Sequence, residues 1–123
     1  MLIALSVALV LSQHPEDSRL AGQWKDADLQ LVSEFTRAAD GTWSAVVVAS
    51  PRAGEAGKRT FEKLTWDAKK GVFSGKLIKP DDGQVVDVTL TLDSASAMTG
   101  SAGFFIFRKT LHFTRVADDG GAP

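Results

Sequence analysis

The sequence predicts an all-β fold, a small up-and-down antiparallel barrel of about eight strands. Three observations predict it: apolar and polar residues alternate in short runs, turn-forming residues recur at intervals of roughly ten to thirty positions, and no segment sustains a helical period. The chain has 123 residues, 44% of them hydrophobic and 24% charged. That composition describes one globular domain. A domain of roughly 100 residues buries about two thirds of its unfolded surface, enough for a core without metal or disulfide staples.

The amino-terminal run from Leu2 to Leu11 (LIALSVALVL) is apolar and is broken by Ser12, Gln13, His14 and Pro15. It is too short to cross a hydrocarbon layer that needs about 20 apolar residues. Residues 1–12 are therefore expected to be a signal peptide cleaved after Ser12, and residues 13–19 a polar linker. The β-barrel domain is expected over 20–116, with 117–123 (ADDGGAP) a flexible tail.

Within the domain, the opening strand carries Gly22-Gln23-Trp24. Leu29 to Arg37 reads as a strand with Leu29, Leu31 and Phe35 facing away from Gln30, Glu34 and Thr36, and Trp43 to Ala49 is an apolar, β-branched strand. Ser50 to Arg59, with two glycines and several charges, reads as a long loop. Thr60 to Asp67 and Val72 to Lys79 form a hairpin around Lys69 to Gly71. Gln84 to Leu92 alternates most cleanly, placing Val86, Val88, Leu90 and Leu92 on one face. Ala39-Asp40-Gly41, Pro80-Asp81-Asp82-Gly83 and Asp93-Ser94-Ala95 supply further turns. The closing strand is read as Phe104 to Arg115, with Phe105, Phe107, Leu111, Phe113 and Arg115 on the inward face. Closure of the sheet removes the unpaired edges of an open meander.

An arginine at the end of a row of buried aromatics needs a partner for its charge, and an indole face is a suitable one. Trp24 is the expected partner of Arg115, the two closing the barrel floor, with Gly22 letting the backbone pass close beneath. Trp43 and Trp66 are candidates to line the lumen. Lys109 is in phase with Phe107 and Leu111, so unless a bulge intervenes at Arg108 it points inward, where it would meet an anionic head group; the alternative is a lysine that snorkels out or sits beyond such a bulge.

The residue inventory narrows the chemistry. With no cysteine the chain has no disulfide, thiolate metal site or thiol nucleophile, and no attachment point for an amino-terminal lipid. The two histidines are His14, in the linker, and His112, which faces opposite to Phe113; neither builds a triad or a metal site. Pro80-Asp81-Asp82-Gly83 lacks the further carboxylates of a calcium loop. No Gly-x-Ser-x-Gly elbow occurs, and no glycine pattern leads into a helix to cradle phosphate. No catalytic residue, metal or cofactor is therefore expected, and the protein is not expected to be an enzyme. The net charge of -1, with basic residues scattered among acidic ones, gives no footprint for nucleic acid.

The Gly-x-Trp opening strand and the arginine of the closing strand resemble the lipocalin and calycin pattern. Leu64-Thr65-Trp66-Asp67, Phe73-Ser74-Gly75-Lys76-Leu77, Pro80-Asp81-Asp82-Gly83, Gly100 to Gly103 and Phe113-Thr114-Arg115-Val116 resemble, in that order, a bacterial family of exported domains of unknown function. Phe113 stands where that family commonly has Trp. The resemblance implies a small lipocalin-like barrel of the bacterial envelope, and it brings no reaction. The expected function is binding of a small hydrophobic or amphipathic ligand in the mouth or interior by a periplasmic or secreted protein that keeps no membrane span. The alternative is a structural or interaction module of the envelope with a filled core, its partner surface on the strands or on Ser50 to Arg59.

Overall fold

The computed structural model describes residues 18–104 and 107–116. The expected leader, residues 13–17 of the linker with His14, Phe105, the side chain of Phe107 and the tail over 117–123 lie outside the described residues. Eight strands follow one another: β1 (Gly22–Asp26), β2 (Val32–Arg37), β3 (Trp43–Ala49), β4 (Arg59–Asp67), β5 (Val72–Ile78), β6 (Val85–Leu92), β7 (Ala97–Phe104) and β8 (Phe107–Arg115). Each pairs antiparallel with the next, and β8 returns to β1, so the sheet is a closed up-and-down barrel. The fold is the one the alternation and the turn spacing predict.

The turns are short because carboxylates at the strand ends hold them. Asp40 Oδ1 accepts the Thr42 backbone N–H at 3.0 Å, and Asp67 Oδ1 accepts those of Lys69 and Lys70 at 3.0 and 3.1 Å. Asp82 Oδ1 does the same for Gln84 at 2.9 Å, so Pro80 to Gly83 is a turn whose acidic groups are used on the backbone. Between these turns β1, β2, β3 and β6 bury alternate residues. In β6, Val86, Val88 and Leu90 are buried while Val85 is 45% exposed. The core runs through the lumen and contains Leu20, Trp24, Phe35, Trp43, Phe61, Leu64, Phe73, Met98, Leu111 and Phe113.

Three segments depart from the expectations. The strand expected from Leu29 starts at Val32; Leu29 lies in the β1–β2 turn and is 38% exposed. The cause is Asp26, whose Oδ1 accepts the backbone N–H of Asp28 and Leu29, with Gln30 at φ 59° completing the reversal. The segment read as one strand from Phe104 is divided: Phe104 ends β7 and pairs with Phe107, the first residue of β8. An aromatic run gives no local signal where one strand stops and the next begins. Finally, β4 does not alternate, since Thr60 and Phe61 are both buried and Lys63 has φ 57°. Register shifts against β3 and β5 show extra residues in this strand, which bends it around the barrel. Gly75 of β5 sits against that irregularity: a Cβ there would lie 2.7 Å from the Lys63 carbonyl oxygen and 2.8 Å from Leu64 Cα.

Candidate functional site

The two ends of the barrel differ in how they are filled. At the end where the described chain enters and leaves, Trp24 and Arg115 are direct cross-strand partners of β1 and β8. The Arg115 guanidinium carbon lies 4.3 Å from the Trp24 ring centroid. Trp24 is fully buried, and its Nε1 donates to the Leu20 carbonyl at 3.0 Å. Arg115 donates through Nε to Ala95 O at 2.7 Å, through Nη1 to Ala21 O at 2.8 Å and through Nη2 to Arg19 O. One planar side chain thus ties the β6–β7 turn and the segment before β1 onto the indole face. Gly22, at φ 114°, lies under this group, and a Cβ there would come within 3.0 Å of Nη1. Only a residue without a side chain fits both constraints.

Above this floor the lumen is packed with rings. Phe61 lies 5.1 Å from Phe35 and 6.0 Å from Phe113, centroid to centroid, the latter edge to face. Phe73 meets Trp43 edge to face at 6.3 Å and Trp66 at 4.9 Å. Trp43 begins β3 and Trp66 stands next to the end of β4, so both belong to the closed half. Such pairs contribute about 0.5 to 1.5 kcal/mol beyond their burial.

Towards the opposite end the inward side chains among the described residues become small. Val86, Ala102 and Leu111 replace the aromatic rings, and a cavity of about 520 Å³ opens between them and Leu77. That volume lies within the range of small-molecule sites, roughly 300 to 1,000 Å³. Its rim is polar and comes from the connections at this end. Asp26 and Leu29 come from the β1–β2 side, Arg52 and Glu55 from the β3–β4 loop, Lys79 to Asp81 from the β5–β6 side, and Lys109 from β8. Apolar walls beneath a charged rim suit a ligand with one apolar part and one polar part.

The β3–β4 loop is organised across this mouth. Glu55 is only 6% exposed; its Oε1 accepts the Ser50 hydroxyl at 2.7 Å, and both its oxygens lie 2.9 Å from Arg52 Nε. The Arg52 hydrogen bond, with help from Ser50, holds the Glu55 carboxyl below its ordinary value, and Arg52 is correspondingly raised. Arg52 Nη2 then reaches the Leu29 carbonyl at 3.0 Å, and Lys58 Nζ reaches the Pro80 carbonyl at 3.0 Å. The loop is a strap fixed to the connections on either side of the mouth. Acidification removes this clasp: a carboxyl with a depressed folded pKa stabilises above its unfolded value of about 4.3, and that contribution is lost as the pH falls through the folded pKa.

The structure thus separates the residues picked from the sequence. Lys109 lines the cavity, in phase with Leu111 and with no register shift along β8. Its ammonium is at the rim, 66% exposed and 3.6 Å from Asp28, and does not reach into the lumen. Trp43 and Trp66 lie at the other end of the barrel, away from this cavity, because the taper of the fold puts the large rings at the closed end. Trp24 and Arg115 meet at the floor. His112 is exposed on the outer wall. Asp26, Arg52, Glu55 and Leu77 were not singled out by the sequence. Asp26 did carry a signal, being two residues from Trp24 on the same strand face. Among the described residues no group of three His, Cys, Asp or Glu side chains is placed to hold a metal ion, and no helix is long and apolar enough to cross a membrane.

Comparison with known proteins bears on the fold. The chain is similar in structure to protein HP1028 from Helicobacter pylori, described as belonging to the lipocalin family. The TM-score is 0.64 over 81% of this chain and 84% of that one, at 15% sequence identity. At that identity the likeness concerns the fold, a lipocalin-like closed barrel. No family model matches the sequence, and no curated protein matches it.

Proposed function

We propose that this chain is an exported binding protein that takes a small, partly apolar ligand into the open end of its barrel. The observation that carries this reading is the unequal filling of the lumen: rings and the Trp24–Arg115 pair close one half, and a cavity of about 520 Å³ stays open in the other. A structural or interaction module would have reason to fill both halves. The lipocalin-like fold supports the reading, since sites in the mouths of β-barrels are common. Export to the periplasm or outside the cell is supported by the apolar run over Leu2 to Leu11. Apolar walls beneath a polar rim support binding of such a ligand.

The test is native mass spectrometry of protein purified from the periplasm, wild type beside Ala102→Phe. The wild type is expected to carry a non-covalent small-molecule adduct. A phenyl ring added at a 6% exposed wall position occupies the cavity and removes the adduct, at a cost of about 1 to 3 kcal/mol in stability, which a thermal midpoint monitors. A bare wild-type mass, together with no thermal shift across a panel of lipids and small amphiphiles, contradicts the proposal.

A further inference from the structure

We infer that Phe61 and Phe113 form a septum that stops the ligand part-way down the barrel, so that the cavity selects amphiphiles with a short apolar part, an inference that rests on the cavity being the binding site. In the closed sheet β4 and β8 stand four strands apart whichever way round it is followed, and so face each other across the lumen. Phe61 of β4 and Phe113 of β8 nevertheless meet edge to face at 6.0 Å, so two rings span the bore. Phe35 of β2 extends them, 5.1 Å from Phe61, and all three rings are buried.

These rings are the immediate floor of the cavity. Phe61 is in register with Leu77 and Phe113 with Asp26, both of which line it. Gly100 makes room for the septum on β7: the place its Cβ would take lies 3.3 Å from Phe113 Cε1, so the ring edge fills the space a side chain there would need. Below the rings the packing continues without a break through Leu64, Leu90 and Met98 to Trp24. The depth above them follows from strand geometry. On β8 the inward phase runs from Lys109 at the rim through Leu111 in the wall to Phe113 at the floor. That is about 13 Å of strand and, at the usual tilt of barrel strands, about 10 Å of depth, which a straight chain of about eight carbons fills. Carbons beyond that length stay in the mouth, where they bury little further surface and add little affinity.

Isothermal titration calorimetry of the full chain with 1-hexanol, 1-octanol, 1-decanol and 1-dodecanol tests this. In the wild type each added methylene is expected to tighten binding about 4-fold up to about eight carbons, with a change of less than about 2-fold from 1-octanol to 1-dodecanol. Phe61→Ala removes one ring of the septum, and 1-dodecanol is then expected to bind at least about 10-fold more tightly than 1-octanol. Phe61→Leu, a milder truncation, is expected to move the break the same way by less. Phe73→Leu, which loosens the closed half around Trp43 and Trp66, is expected to leave the break at the wild-type length. Thermal midpoints check that each variant folds. A wild-type affinity that climbs about 4-fold per methylene through 1-dodecanol overturns the septum and leaves the cavity reading standing. A break that stays at the wild-type length in every Phe61 variant that folds, or that moves equally in Phe73→Leu, also overturns it. Binding of none of the four alcohols overturns the cavity reading as well. Should no Phe61 variant fold, the presence or absence of the break in the wild type decides the matter.

Discussion

Trp24→Ala is expected to destabilise the barrel by about 3 to 5 kcal/mol, Arg115→Ala by about 2 to 3 kcal/mol, and the double variant by less than the sum. The first loss follows from a fully buried indole whose Nε1 is bonded to Leu20 O, so truncation leaves both a large void and an unsatisfied carbonyl. The second follows from the three carbonyls, on Arg19, Ala21 and Ala95, that the guanidinium gathers. Coupling of about 1 kcal/mol or more comes from the stacked contact at 4.3 Å, since neither half of it survives without the other. Against a total stability of about 5 to 15 kcal/mol for a domain of this kind, the loss of Trp24 removes a large share. Urea unfolding of the four proteins measures the cycle. Additive losses would show that the two side chains act independently. Arg115→Lys is expected to fall well short of rescue, because an ammonium cannot lie flat on the indole and reach three carbonyls at once.

The second large effect is at Gly75. Alanine there places Cβ within 2.7 to 2.9 Å of three backbone atoms, on Lys63, Leu64 and Glu62, none of which can rotate away. The β4 irregularity has to move, and a destabilisation of about 3 kcal/mol is expected. Gly100→Ala is the control. Its Cβ would meet the Leu90, Phe113 and Leu111 side chains at 3.1 to 3.4 Å, which can shift by tenths of an ångström, so the expected cost is about 1 kcal/mol. Denaturant midpoints that fall equally for the two variants would mean that β4 is not fixed where the structure puts it.

What the sequence made legible was the part of the fold written in local patterns. Val86, Val88 and Leu90 alternate with polar neighbours, and β6 follows directly. Asp40, Asp67 and Asp82 sit where a carboxylate can cap a turn, and the turns follow. The pairing of Trp24 with Arg115 could be suspected because Arg115 ends a row of aromatics on the closing strand and Trp24 lies on the opening strand, and the two strands have to meet if the sheet closes. The candidate site was less legible. It depends on where the inward side chains become small, a property of the layer shared by β5, β6, β7 and β8, and no single strand carries it. Ala102 looks like any other small residue in a glycine-rich run. Glu55 looks like one more exposed loop charge until Ser50 and Arg52 are brought onto it. Trp43 and Trp66 were chosen for their size, and size places them in the filled half. The irregularity at Lys63 had no signal at all, since a lysine at φ 57° is dictated by the neighbouring strands and not by its own preference.

The central claim is that the barrel binds at its open end over a closed floor, and amide chemical-shift mapping with 1-decanol tests it most directly. The account predicts perturbations at Leu77, Val86, Ala102 and Leu111, with the indole N–H signals of Trp24, Trp43 and Trp66 unmoved. Perturbations centred on those three indoles, or spread over the outer wall around Thr99 and His112, would contradict it.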